Sequence, residues 1–112
     1  MAKPRNKIGG VYRILIPNSP YVYIGETVSF RSRWHVHRNL LKRNKHDNPL
    51  LQFLYNESNN KVPFGFFSIE IVPYFNIDER KNKEREQKEK HLLAGFTLIN
   101  RPYCYDILNQ IC

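Results

Sequence analysis

The run Gly10-Val11-Tyr12-Arg13-Ile14-Leu15-Ile16-Pro17-Asn18-Ser19-Pro20-Tyr21-Val22-Tyr23-Ile24-Gly25 decides how this chain folds. Residues 11–16 and 21–24 are rich in β-branched and aromatic side chains, which suit a pleated, half-buried surface. Pro17-Asn18-Ser19-Pro20 between them carries turn chemistry, so the two runs read as an antiparallel hairpin over residues 9–26. Each strand holds a triplet, Gly10-Val11-Tyr12 or Tyr23-Ile24-Gly25, that sets a tyrosine near a glycine. The glycines can serve a bulge or turn, and they also let backbone come close to a ligand beside two hydroxyls.

Outward from the hairpin, composition bounds the partners. A chain of 112 residues with 41% hydrophobic side chains supports one modest core, read here as a single domain over 9–112 behind a basic arm, 1–8. The arm lacks the apolar stretch of a secretory signal, and no apolar run approaches the roughly 20 residues of a membrane span. Cys104 and Cys112 show no metal-ligand spacing, so free thiols in a reducing, intracellular setting, cytoplasmic or nucleoid-associated, are the expectation. The net charge of +8 points to a polyanion, nucleic acid ahead of an anionic membrane surface.

From Ser29 the period changes. Phe30, Trp34, His37 and Leu41 recur at helical spacing, with Thr27 or Ser29 as cap. Arg33 and His37 are four apart and neighbour each other along that stripe, Trp34 reads as core, and Arg31, Arg38, Lys42, Arg43 and Lys45 surround it with positive charge. Asn48-Pro49 opens a second helix over 49–57. Residues 56–61 read as a polar loop and Phe64–Val72 as a third, central strand ended by Pro73. Residues 78–91 contain no apolar side chain, and the pairs Glu79/Lys83, Glu84/Lys88 and Glu86/Lys90 support an exposed helix capped by Asp78. Leu92, Leu93 and Phe96 are expected to anchor it, with Gly95 at its end, and the tail suggests no element. The fold class is α+β: a small three-stranded antiparallel sheet flanked by helices, in the order β-β-α-α-β-α.

This order and these residues resemble the GIY-YIG endonuclease domain of homing endonucleases, some restriction enzymes and the excision-repair incision nuclease. The likeness runs from Gly10 to Asn100. The two triplets answer the family's own, and residues 23–37 are similar to its second strand and first helix. Arg33 falls on the family's essential arginine, and His37 on the histidine of the homing and restriction branches. His46-Asp47-Asn48-Pro49-Leu50-Leu51-Gln52 resembles the entry to their second helix. The resemblance implies a metal-binding glutamate on the third helix. Glu89, with Leu92 and Leu93 at +3 and +4 and Asn100 eleven residues on, fits best. Glu86, in Glu84-Arg85-Glu86-Gln87, is the runner-up, while Glu79 and Glu84 read as surface charges.

The implied activity is metal-dependent hydrolysis of DNA phosphodiester bonds, with double-stranded DNA as partner and Mg²⁺ or Mn²⁺ as the single cofactor ion. One carboxylate leaves a hard cation mostly hydrated and free to take a phosphate oxygen. Arg33 offers a planar fork to phosphate. The resemblance makes Tyr12 the general base, although a phenol needs a neighbouring cation to serve as one. Tyr23 and His37 are expected to bond the same water or phosphate or to relay the proton, and Asn100 to brace the site. Gly25, Arg31, Arg38, Lys42, Arg43 and His46 are the expected nucleic-acid contacts. The alternative is a basic nucleic-acid-binding module of the same fold that has lost the chemistry.

Overall fold

Alternating apolar residues pair the two runs as the anticipated antiparallel hairpin. The computed structural model describes residues 8–58, 64–73 and 76–111, so the basic arm, except Ile8, lies outside the described residues, as do part of the 56–61 loop and Cys112. Strand β1 (Gly10–Leu15) runs antiparallel to β2 (Tyr21–Thr27), with Tyr12 opposite Gly25 and Ile14 opposite Tyr23. Helices α1 (Phe30–Lys42) and α2 (Pro49–Glu57) follow, then β3 (Gly65–Ile71), α3 (Ile77–Leu93), β4 (Thr97–Leu98) and α4 (Tyr103–Ile111).

The sheet corrects the sequence reading in two ways. It has four strands, in the order β3-β1-β2-β4, and it is mixed, because β4 joins β2 in parallel. A two-residue strand is too short to show alternation, which is why it escaped notice. The strand expected to be central, β3, lies at the edge beside β1, with Phe67, Ser68 and Ile71 exposed.

Period-2 alternation divides the core between the two faces. On one, Tyr12, Ile14 and Ile16 pack with Phe30, Leu41, Leu50, Leu51, Ile99 and Cys104. Trp34, Tyr23 and Phe66 close around this cluster. On the other, Val11, Val22, Ile24 and Leu98 form a smaller cluster against which Phe96 packs. Helix α3 is held there by polar contacts and not, as expected, by its leucines: Leu92 and Leu93 are exposed, whereas Arg80 and His91 are buried. Arg80 pairs with Glu26 at 2.5 Å, Gln87 donates to Glu70 at 2.8 Å, and His91 Nε2 lies 3.2 Å from Arg13 Nη1. Asn76, not Asp78, occupies the position before its first turn. The tail forms α4, which packs on α2 and buries Cys104. Among the described residues no helix is long and apolar enough to cross a membrane.

Candidate active site

The hairpin register sets Tyr12 and Tyr23 on one face as diagonal neighbours, ring centroids 6.3 Å apart. Gly25 faces Tyr12 across the ladder, and a Cβ there would lie 2.4 Å from both Cζ and Oη of that ring. Gly25 is buried, and the space it leaves is filled by Tyr12 rather than open to nucleic acid as expected. Gly10, at φ +149°, could carry no side chain beside the Glu70 carbonyl, next to the bulge between Val11 and Tyr12.

Helix α1 crosses this face. Ser29 caps it by accepting from the Ser32 amide, and its buried stripe runs through Phe30, His37 and Leu41. Arg33 Nε donates to Tyr12 Oη at 3.4 Å, and its charge also acts on the Tyr23 hydroxyl. His37 Nε2 lies 2.8 Å from Tyr12 Oη. Burial, reinforced by Tyr23 and opposed by Arg33, raises the Tyr12 pKa well above that of an ordinary phenol. Tyr23 is raised as well, first by burial. Burial works against the Arg33 charge, but the two hydroxyls outweigh it and its pKa rises. Burial, then Arg33 and His46, pushes His37 down to about 3, so its ring is neutral at physiological pH. Both its nitrogens are engaged and it is 1% exposed. It therefore meets the cleft through Tyr12, a placement that suits the relay role expected for it rather than direct contact with a water or phosphate.

The turn after α1 explains the second histidine. Asn44, at φ 59°, ends the helix with a Schellman pattern, Lys45 N–H to Leu40 O and Asn44 N–H to Leu41 O, which folds the chain back on α1. His46 then lands on His37, with ring centroids 5.0 Å apart and Nε2 2.8 Å from His37 Nδ1. Its backbone donates to Gln52 Oε1, and its Nδ1 accepts from the Asn48 amide at 3.0 Å. At 8% exposure with both ring nitrogens occupied, His46 is a buried partner of His37 and not a DNA contact. Asn48 also caps α2 through Leu51 N–H and donates to the Ile99 carbonyl.

On the side of β2 away from β1, β4 pairs only with Tyr21 and Val22 and does not reach the Ile24 backbone. Asn100 does, accepting from Ile24 N–H at 3.0 Å and donating to its carbonyl at 2.6 Å. Tyr23, Asp47, Asn48, Lys88, Asn100 and Arg101 line an open cavity of about 190 Å³ there. The carboxylate that acts electrostatically on both tyrosines is Glu84. It is half-buried, its pKa is raised by burial, and it pairs with cavity-lining Lys88 at 3.7 Å. Arg80, Glu84, Gln87, Lys88 and His91 share the inward stripe of α3, whereas Glu86 and Glu89 project from other faces and are exposed. Glu86 pairs with Lys83 instead. Glu84, read from sequence as a surface charge, is instead half-buried on this inward stripe, a position that pattern reasoning missed. The missing signal was an apolar contrast, absent because α3 is polar on its inward face too.

Arg31, His35, Arg38 and Lys42 recur along one exposed stripe of α1, with Arg43 exposed at its end. Arg38 lies 4.7 Å over the Phe66 ring.

Tyr12, buried, and Tyr23, half-buried, lie beneath an arginine on an α+β fold, with a carboxylate brought to the sheet edge. More particularly, the model of the GIY-YIG catalytic domain matches residues 8–96, and the chain belongs to that family of nuclease domains. Among solved structures, the catalytic domain of the homing endonuclease I-TevI is 26% identical. That match has a TM-score of 0.66 and covers 73% of this chain and 86% of that one. A glutamate-to-alanine mutant of the catalytic domain of the intron endonuclease I-TevI, 24% identical, shares the fold at TM-score 0.68, covering 80% and 92%. No curated protein matches the chain significantly.

Proposed function

We propose that the chain is a divalent-metal-dependent endonuclease that hydrolyses phosphodiester bonds in double-stranded DNA. The observation that carries this reading is Tyr12 Oη, buried between Arg33 Nε and His37 Nε2 and stacked beside Tyr23, which lines the polar cavity. Both neighbours stabilise negative charge on that oxygen, which is what a phenol needs in order to take a proton from water. The Arg33 guanidinium has more donors than two hydroxyls consume, so it can hold a non-bridging phosphate oxygen as charge builds on phosphorus. Tyr12 first gives its proton to solvent; water then attacks phosphorus, its proton passes to the Tyr12 phenolate, and the P–O bond to the leaving strand breaks as the leaving oxygen takes a proton from solvent. Tyr23 orients Arg33, and Asn100 fixes the β2 backbone beside Tyr23.

The donor set fits a hard, mostly hydrated cation. Among the described residues no cluster of three or more His, Cys, Asp or Glu could form a cage. Glu84 is a single half-buried carboxylate beside a polar cavity, and it would hold Mg²⁺ or Mn²⁺. When bound there, the ion supplies positive charge to the phosphate and lowers the cost of ionising Tyr12. Arg31, Arg38, Lys42 and Arg43 would track the DNA backbone. Residues 1–8 would extend that surface as a basic arm on a single domain over 9–112, in an intracellular protein.

One observation favours a second reading, a nucleic-acid-binding module without cleavage. The Lys88 ammonium already neutralises Glu84. Incubating supercoiled plasmid with Mg²⁺ or Mn²⁺ separates the two readings. Nicked or linear DNA that a chelator prevents supports the nuclease, whereas salt-sensitive binding without cleavage under either ion supports the module.

A further inference from the structure

The hydrogen bonds around the two buried histidines admit one arrangement of protons. The Asn48 amide can only donate, so His46 Nδ1 is an acceptor, and in the neutral ring the His46 proton sits on Nε2. The exposed Asp47 carboxylate, 3.4 Å from the same Nδ1, offers no proton that would change this. His46 Nε2 is 2.8 Å from His37 Nδ1, so His46 donates and His37 Nδ1 accepts. The His37 proton is thereby placed on Nε2, where it donates to Tyr12 Oη. Arg33 Nε donates to the same oxygen. Tyr12 Oη thus receives two hydrogen bonds, and its own hydrogen is directed to neither donor.

We infer that His46 is a positioning residue for the cleavage proposed above, acting through His37 to keep Tyr12 an acceptor. In the opposite tautomer, His37 Nε2 would take the Tyr12 hydrogen, hold the phenol in its neutral form and compete with water for it. The direction of every bond in the row descends from one backbone amide, at the N-cap of α2. Burial lowers the pKa of both imidazoles, which keeps the row neutral and its direction fixed. The stacking of His46 on His37 and the bond from its backbone to Gln52 hold the ring in place.

The imidazole nitrogens of the ¹⁵N-labelled protein report the tautomers directly, without metal or DNA. The expected result is a proton on Nε2 of both His37 and His46. His46→Leu removes the donor: His37 should lose its single tautomer, and kcat should fall roughly tenfold or more with KM for DNA unchanged. His46→Gln places an amide donor near the former Nε2 and should recover both properties. A proton on His37 Nδ1 in the wild type overturns the inference, as does a His46→Leu variant whose KM rises while kcat and tautomer stay put. Should His46→Leu fail to fold, the wild-type tautomers and the His46→Gln kinetics still decide. A wild type that cuts no DNA refutes the nuclease reading while leaving the tautomer measurement to stand or fall on its own.

Discussion

Tyr12 and Gly25 are one feature built from two strands, since the tyrosine ring occupies the volume that a Cβ at Gly25 would need. Gly25→Ala should therefore displace Tyr12 from Arg33 and His37. Overpacking of this kind costs roughly 1–3 kcal/mol. The loss in kcat should approach the 10²–10⁴ associated with a general base. Chemical denaturation and single-turnover cleavage check the two effects, and wild-type activity would show that the ring needs no such space. His37 makes a second prediction, in pH. Folding favours its neutral form, with a pKa of about 3 against 6.5. The stability this contributes is present above pH 6.5 and is lost as pH falls toward 3, and His46, lowered as well, acts in the same direction. The thermal midpoint should decline through that window, and His37→Gln should flatten the decline. An equal slope in the variant would mean that other groups govern acid unfolding.

Among the elements, α3 carries the most exacting test because Glu84 lies on its inward stripe while Glu86 and Glu89 lie on its exposed side. Glu84→Gln should abolish metal-dependent cleavage, while Glu86→Gln and Glu89→Gln should cut within a few-fold of wild type. Abolition by either of the latter alone would place the metal elsewhere on the helix. Apolar periodicity explains which elements could be read from sequence. The hairpin, α1 and α2 each bury a regular apolar face and carry their own turn or cap residues, so the meeting of Tyr12, Tyr23, Arg33 and His37 is legible in the sequence. Helix α3 packs through Arg80, Gln87 and His91, so nothing distinguished its inward face and Glu84 passed for a surface charge. His46 was misjudged for a related reason: a polar residue in a turn reads as exposed until the Schellman turn folds it onto α1. Strand β4 is too short to have a period. Helix α4 did carry one, in Cys104, Ile107, Leu108 and Ile111, and could have been found.

At the level of the whole molecule, a net charge of +8 and the basic stripe of α1 predict binding to DNA that weakens steeply with salt. Arg38→Ala should lower the slope of log affinity against log salt by about 1 without altering sequence preference. An unchanged slope would place the DNA path away from α1. The same charge would not account for the proposed hydrolysis, which is assigned instead to the cluster where hairpin, α1 and the edge carboxylate meet. Arg33 joins its parts, bonding Tyr12 and acting on Tyr23 from a half-buried position whose loss the core can tolerate. Cleavage of supercoiled plasmid with Mg²⁺ by Arg33→Ala, beside wild type and with the thermal midpoint of each recorded, is the most direct test of this site. The expected result is a folded variant, with a midpoint near that of wild type, that leaves the plasmid intact where wild type cuts it. Cleavage by that variant at the wild-type rate would contradict the assignment of the active site.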